Sequence, residues 1–126
     1  MSDAAELPDD TPVHRIGGRL LGNLRLKPSE KRFKQPGFSV LLGGTPHEAG
    51  ATIRGAYPAA TRLHDEAKVI ASSTVGRIRA AGFEVLAVAS DRLANHGRVV
   101  HSTGLAGFSD EKLNALSQVF QETTGC

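Results

Sequence analysis

The chain has no tryptophan, one tyrosine and one methionine. With so few aromatic rings, its core must come mainly from Leu, Val, Ile and Ala. Cysteine is nearly missing too, since Cys126 is the only one. One thiol makes no internal disulfide, so nothing here needs an oxidising compartment. No cysteine or carboxylate cluster completes a zinc set, and neither a metal nor a cofactor is expected. No apolar run approaches the roughly 18 residues of a membrane span. The first residues are acidic and polar, so no secretory leader is expected among them. These absences point to a cytoplasmic protein without a membrane partner.

Net positive charge is also missing, except in one place. Residues 13–34 hold seven cations (Arg15, Arg19, Arg25, Lys27, Lys31, Arg32, Lys34) and a single acid, Glu30. Residues 1–12 hold four acids and no cation. The rest of the chain is neutral, so the net charge of +2 comes entirely from this segment. Clustered Lys and Arg suit phosphate contacts, because each neutralised phosphate releases a counterion. Phe33 lies among the cations and offers a stacking face for a base. The expected partner is therefore anionic: nucleic acid first, an acidic protein surface second. A solvated face is the competing reading, and no signature of sequence-specific recognition is present.

The 126 residues suffice for one domain with a real core. Residues 1–12, with Pro8 and Pro12, read as a disordered acidic tail before a single domain over 13–126. Gly17-Gly18 separates two short β-like runs, and Leu24-Arg25-Leu26-Lys27 alternates strictly, so one or two strands are expected before Pro28. Phe38–Leu42 reads as a buried strand. Thr45-Pro46-His47-Glu48 is a capping box, the clearest helix start in the chain.

Residues 58–82 fit one long helix or a helix–strand–helix. Ser72-Ser73-Thr74 favours the split, because these side chains compete for helical backbone bonds. Phe83–Val88 and Arg98–His101 read as strands. Ser109 caps a last helix carrying Leu113, Leu116, Val119 and Phe120 on one face and ending at Gly125. The expected class is α/β or α+β, with a mixed sheet of about four to six strands and three or four helices.

Four stretches form a familiar set: GFSVLLGGTP (37–46), IRAAGFEV (78–85), NHGRVVH (95–101) and GFSDEKL (107–113). Together they resemble a group of short bacterial α/β proteins of uncharacterised function. That resemblance implies a small bacterial α/β protein and carries no activity or site residue.

Other chemistry has thinner support. Gly43, Gly44 and Thr45 lie where a strand meets a helix start, a place suited to anions, yet neither a P-loop nor GxGxxG is present. His96 and His101 flank a strand, and a spacing of five sends them to opposite faces. His101-Ser102-Thr103 matches the H-x-T element of two-histidine phosphoesterases, which need two copies; only one exists. An early arginine (Arg19 or Arg25), Ser39 and a downstream histidine resemble the layout of small ADP-ribosyltransferase-like toxins, with Glu84 the one candidate glutamate on a strand. No G-x-S-x-G elbow occurs. Two functions therefore stand. One is a non-enzymatic accessory domain that binds an anionic partner through residues 13–34. The alternative is a small toxin-like enzyme acting on a nucleotide or phosphodiester, with His96, His101 and Thr103 as its candidate residues.

Overall fold

A computed structural model describes residues 7–19, 21–32 and 34–126. The strands are β1 (Pro12–Ile16), β2 (Gly37–Leu42), β3 (Val69–Thr74), β4 (Glu84–Ala87), β5 (His96–Val100) and β6 (Gln121–Thr124). The helices are α1 (Leu21–Leu24), α2 (Pro28–Lys31), α3 (Pro46–Ala56), α4 (Arg62–Glu66), α5 (Val75–Ala80) and α6 (Asp110–Ser117), with a 3-10 turn at Gly104–Phe108. The six strands form one sheet in the order β4-β5-β2-β1-β3-β6. Every pairing among the described residues is antiparallel, not mixed. The class is α+β.

Side-chain alternation gives the sheet two apolar faces. Val13, Phe38, Val40, Ala71, Val85 and Val99 pack with α5 and α6 through Val75, Ile78, Leu113 and Leu116. On the other face Leu41 and Ile70 pack against Ala49 and Ile53 of α3, with Ala67 and Leu93. Region 58–82 is indeed split. Thr61 caps α4, and Thr74 caps α5 by accepting from the Arg77 amide. The strand between them is longer than its β-branched start suggested.

Three other expectations are corrected. Residues 7–12 do not trail free of the domain. Asp9 and Thr11 carbonyls accept the Gly76 and Val75 amides at the start of α5, Asp9 pairs with Arg79, and Leu7 packs on the core. Residues 21–24 are a helical turn, not a strand. The Asn23 amide donates to the Ile16 and Gly18 carbonyls and so folds the chain back on β1. Leu24 and Leu26 are buried and Arg25 and Lys27 exposed, so the alternation is real but has no partner strand. Finally, α6 stops at Ser117, and the chain returns as β6 along β3.

Candidate anion-binding cleft and basic ridge

The sheet parts between β1 and β2, and a buried ion pair fills the gap. β1 pairs with β3 over five residues but with β2 only at Val13↔Leu42 and His14↔Leu41. Beyond that point Arg15 and Glu30, both buried, meet at 3.3 Å. Arg15 Nη1 donates to the Ser39 carbonyl at 2.8 Å, and the Ser39 amide donates to Glu30 Oε2 at 2.8 Å. The ion pair thus satisfies main-chain groups that a ladder would otherwise satisfy. The remaining Arg15 bonds go to the Asn23 carbonyl, and the guanidinium stacks 5.0 Å from the Phe38 ring centre. Glu30 Oε1 accepts the Lys27 amide at 2.9 Å, which fixes the first turn of α2.

A cleft opens beside this wedge. One part, about 140 Å³, has apolar walls from Leu41, Ile53, Tyr57, Leu63 and Leu93, with Ser39, His96 and Lys27 among them. A second part shares Arg15, Lys27, Ser39, Leu63 and Glu66 and adds Ser29, Glu30 and Arg62. The elements explain the placement. Ser39 and His96 share a sheet face with Leu41, because β2 residue 39 is two from 41 and His96 lies directly opposite Leu41. Tyr57 ends α3, and Arg92 of the β4–β5 loop lies 4.9 Å over its ring.

Four polar side-chain groups in this cleft have no hydrogen-bond partner among the described residues: Lys27 Nζ, Ser39 Oγ, Tyr57 Oη and His96 Nε2. The last follows from His96 Nδ1, which lies 2.8 Å from the Val88 carbonyl. A carbonyl only accepts, so Nδ1 carries hydrogen and Nε2 carries the lone pair in the neutral ring. Of the two acids in the cleft, Glu30 is taken by Arg15 and Glu66 by Arg62 at 3.1 Å. Lys27 has no such partner. Loss of water at the cleft pushes its pKa down, and the neighbouring Arg15 charge pushes it further; Glu30 and Glu66 offset part of this.

The basic segment does not present one continuous cationic face. Arg15 is interior. Arg19 donates through Nη1 to the Ser117 carbonyl and through its amide to Glu122. Arg25 makes a two-point bridge to Asp110, at 3.0 and 2.8 Å, which raises the pKa of one partner and lowers that of the other. Lys27, Lys31, Arg32 and Lys34 are exposed, and none of them forms an ion pair among the described residues. Phe33 lies outside the described residues. One turn, α2, serves two hollows: Ser29 and Glu30 line the cleft, and Lys31 lines a second hollow with Arg25, Leu26, Leu105, Phe108 and Asp110.

The other sequence candidates lie apart. His101 follows β5, packs edge-on against Phe83 at 4.9 Å, and accepts the Thr103 amide at Nδ1, with Thr103 Oγ1 also at 2.9 Å. Five residues at about 3.3 Å each separate it from His96 by roughly 16 Å along the strand direction. The two histidines share no site. The Gly43-Gly44 turn offers no spare amide at Gly43 or Thr45: these go to the Pro12 carbonyl and to Glu48. Its carbonyls instead receive His14 Nε2 at 3.1 and 3.0 Å, while His14 Nδ1 accepts from Ser72 Oγ at 2.7 Å.

Sequence reasoning passed over Glu30, Tyr57, Glu66 and Leu93. Glu30 carried a signal, being the lone acid in the cationic run. Tyr57 carried another, as the lone tyrosine. Glu66 and Leu93 carried none, since only the fold brings their segments to the wedge. No protein-family model, curated protein or solved structure matched this chain.

Proposed function

We propose that the protein binds an anionic partner, nucleic acid first, through the ridge formed by residues 27–34. The observation that carries this reading is the leftover charge. Arg15, Arg19 and Arg25 are consumed inside the domain or by Asp110. Lys27, Lys31, Arg32 and Lys34 remain as four exposed cations within eight residues, without an ion-paired acid among the described residues. An unneutralised run of this kind loses counterions, and so gains entropy, when a phosphate backbone lies along it.

The test is fluorescence anisotropy with labelled single-stranded and duplex DNA and RNA. Four phosphate contacts on a single strand give a salt slope near −2.8, so affinity falls about fifty-fold between 50 and 200 mM salt. Charge reversal of all four residues to Glu abolishes binding, while His101→Ala leaves it unchanged. An unreduced affinity of the reversed variant moves the binding surface off the ridge, and no binding at the lower salt rules out nucleic acid as the partner. An acidic protein surface would then be the remaining occupant of the ridge.

A further inference from the structure

Resting on that reading, we propose that the cleft at the β1–β2 parting is a pocket for one unpaired base of a single strand, with the adjoining phosphate on Lys27. The chemistry of the walls selects this ligand. A purely aliphatic ligand would leave Ser39 Oγ and His96 Nε2 facing apolar carbon, which is costly for desolvated polar groups. A flat heteroaromatic edge offers donors and acceptors to both, and its face can lie on Tyr57. A bare inorganic anion would leave the walls formed by Ile53 and Leu93 without a partner.

Size points the same way. The part walled by Tyr57, Leu93 and His96, about 140 Å³, is smaller than the roughly 300–1,000 Å³ that takes a whole drug-sized ligand, and the second part, about 270 Å³, adjoins it at Arg15 and Lys27. The smaller part fits one fragment of a longer ligand. Lys27 belongs both to the cleft and to the cationic ridge, so a strand following the ridge passes the pocket's mouth. Duplex DNA keeps its bases stacked and cannot offer one without unpairing. Single strands present unstacked bases that proteins hold on aromatic faces.

The chain supplies its own probe. Tyr57 is the only tyrosine and there is no tryptophan, so ultraviolet-excited emission reports on the cleft. A single-stranded oligonucleotide at 50 mM salt should shorten the Tyr57 fluorescence lifetime; lifetime is unaffected by absorption from the bases themselves. The matching duplex should bind at least tenfold more weakly and leave the lifetime unchanged. Tyr57→Ala should weaken single-strand binding about tenfold or more, and Tyr57→Phe, which keeps the stacking face, should not. Circular dichroism checks that each variant is folded. Adenosine monophosphate at millimolar concentration should shorten the lifetime as well.

Equal binding of duplex and single strand, with Tyr57→Ala silent and charge reversal still abolishing binding, overturns the base pocket and leaves the ridge standing. No anisotropy change with any polymer overturns the ridge. Absence of any lifetime change with both the oligonucleotide and the mononucleotide overturns the pocket, whatever the ridge does.

Discussion

Arg15 and Glu30 meet 3.3 Å apart inside the domain, and between them they hold both the amide and the carbonyl of Ser39. At the parting of β1 from β2 the ion pair thus takes up the main-chain amide and carbonyl of Ser39 that a ladder would otherwise hold. The same pair shapes the cleft and fixes the first turn of the basic ridge.

Removing one member should be expensive. Glu30→Ala leaves the Arg15 charge buried without its ion-paired carboxylate, against the Asn23 and Ser39 carbonyls and the Phe38 ring, and strips the acceptor from the Ser39 and Lys27 amides. Loss of one partner of a buried pair costs about 3–5 kcal/mol. Urea unfolding should show a loss of that order, and Glu30→Gln, which keeps a carbonyl oxygen, should lose less. A Glu30→Ala variant as stable as the parent would sink this account.

Acid should weaken the fold through His14. The ring is buried, and desolvation lowers its pKa against the raising effect of the Gly44 and Gly43 carbonyls and of Glu48. As pH falls, the unfolded chain binds the proton first, near 6.5. The contribution is therefore full above about pH 6.5 and is lost progressively below it, toward the depressed folded value. Thermal midpoints between pH 7.5 and 5 should fall in the parent, and fall less in His14→Gln. Parallel profiles for the two proteins would refute the assignment.

Single ridge residues should act through salt dependence more than through sequence preference. Lys31→Ala, Arg32→Ala and Lys34→Ala should each flatten the salt slope on single strands by about 0.7. Arg19→Ala should leave the slope unchanged, since the Arg19 guanidinium is tied to the Ser117 carbonyl. A slope change for Arg19 equal to that for Lys31 would move the binding surface off the ridge.

His101 should prove structural. A β-carbon on Gly107 would collide with the His101 side chain, whose Cγ, Cβ and Nδ1 are its nearest neighbours. Gly107→Ala should cost about 1–3 kcal/mol from overpacking. His101→Gly, which removes the β-carbon together with the ring, should relieve most of that cost, giving a strongly non-additive cycle in denaturant unfolding. An additive cycle would show that the strain lies elsewhere.

Local chemistry made several features legible. The Thr45–Glu48 capping box and the Ser109 cap depend on side chains reaching a backbone a few residues away; within 58–82 Ser72 reaches across to His14, while Thr74 makes such a local bond. Such bonds are written in neighbouring letters. β6 was not legible: Gln121–Thr124 is polar and almost wholly exposed, and its ladder partner β3 lies about fifty residues earlier in the chain. A four-residue edge strand of this composition has no pattern of its own.

The sequence by itself determined that the net positive charge is confined to residues 13–34, that one domain folds without disulfides, and that helices and strands interleave. Charge and cap chemistry are properties of residues and short neighbourhoods. Only the tertiary structure decided which cations remain to meet a partner. Arg15 is turned inward to Glu30, Arg25 is matched to Asp110 across 85 positions, and Lys27, Lys31, Arg32 and Lys34 are left outside. The reason is physical: whether a charge is spent inside or offered to solvent depends on which distant carboxylate or carbonyl the packed sheet brings beside it.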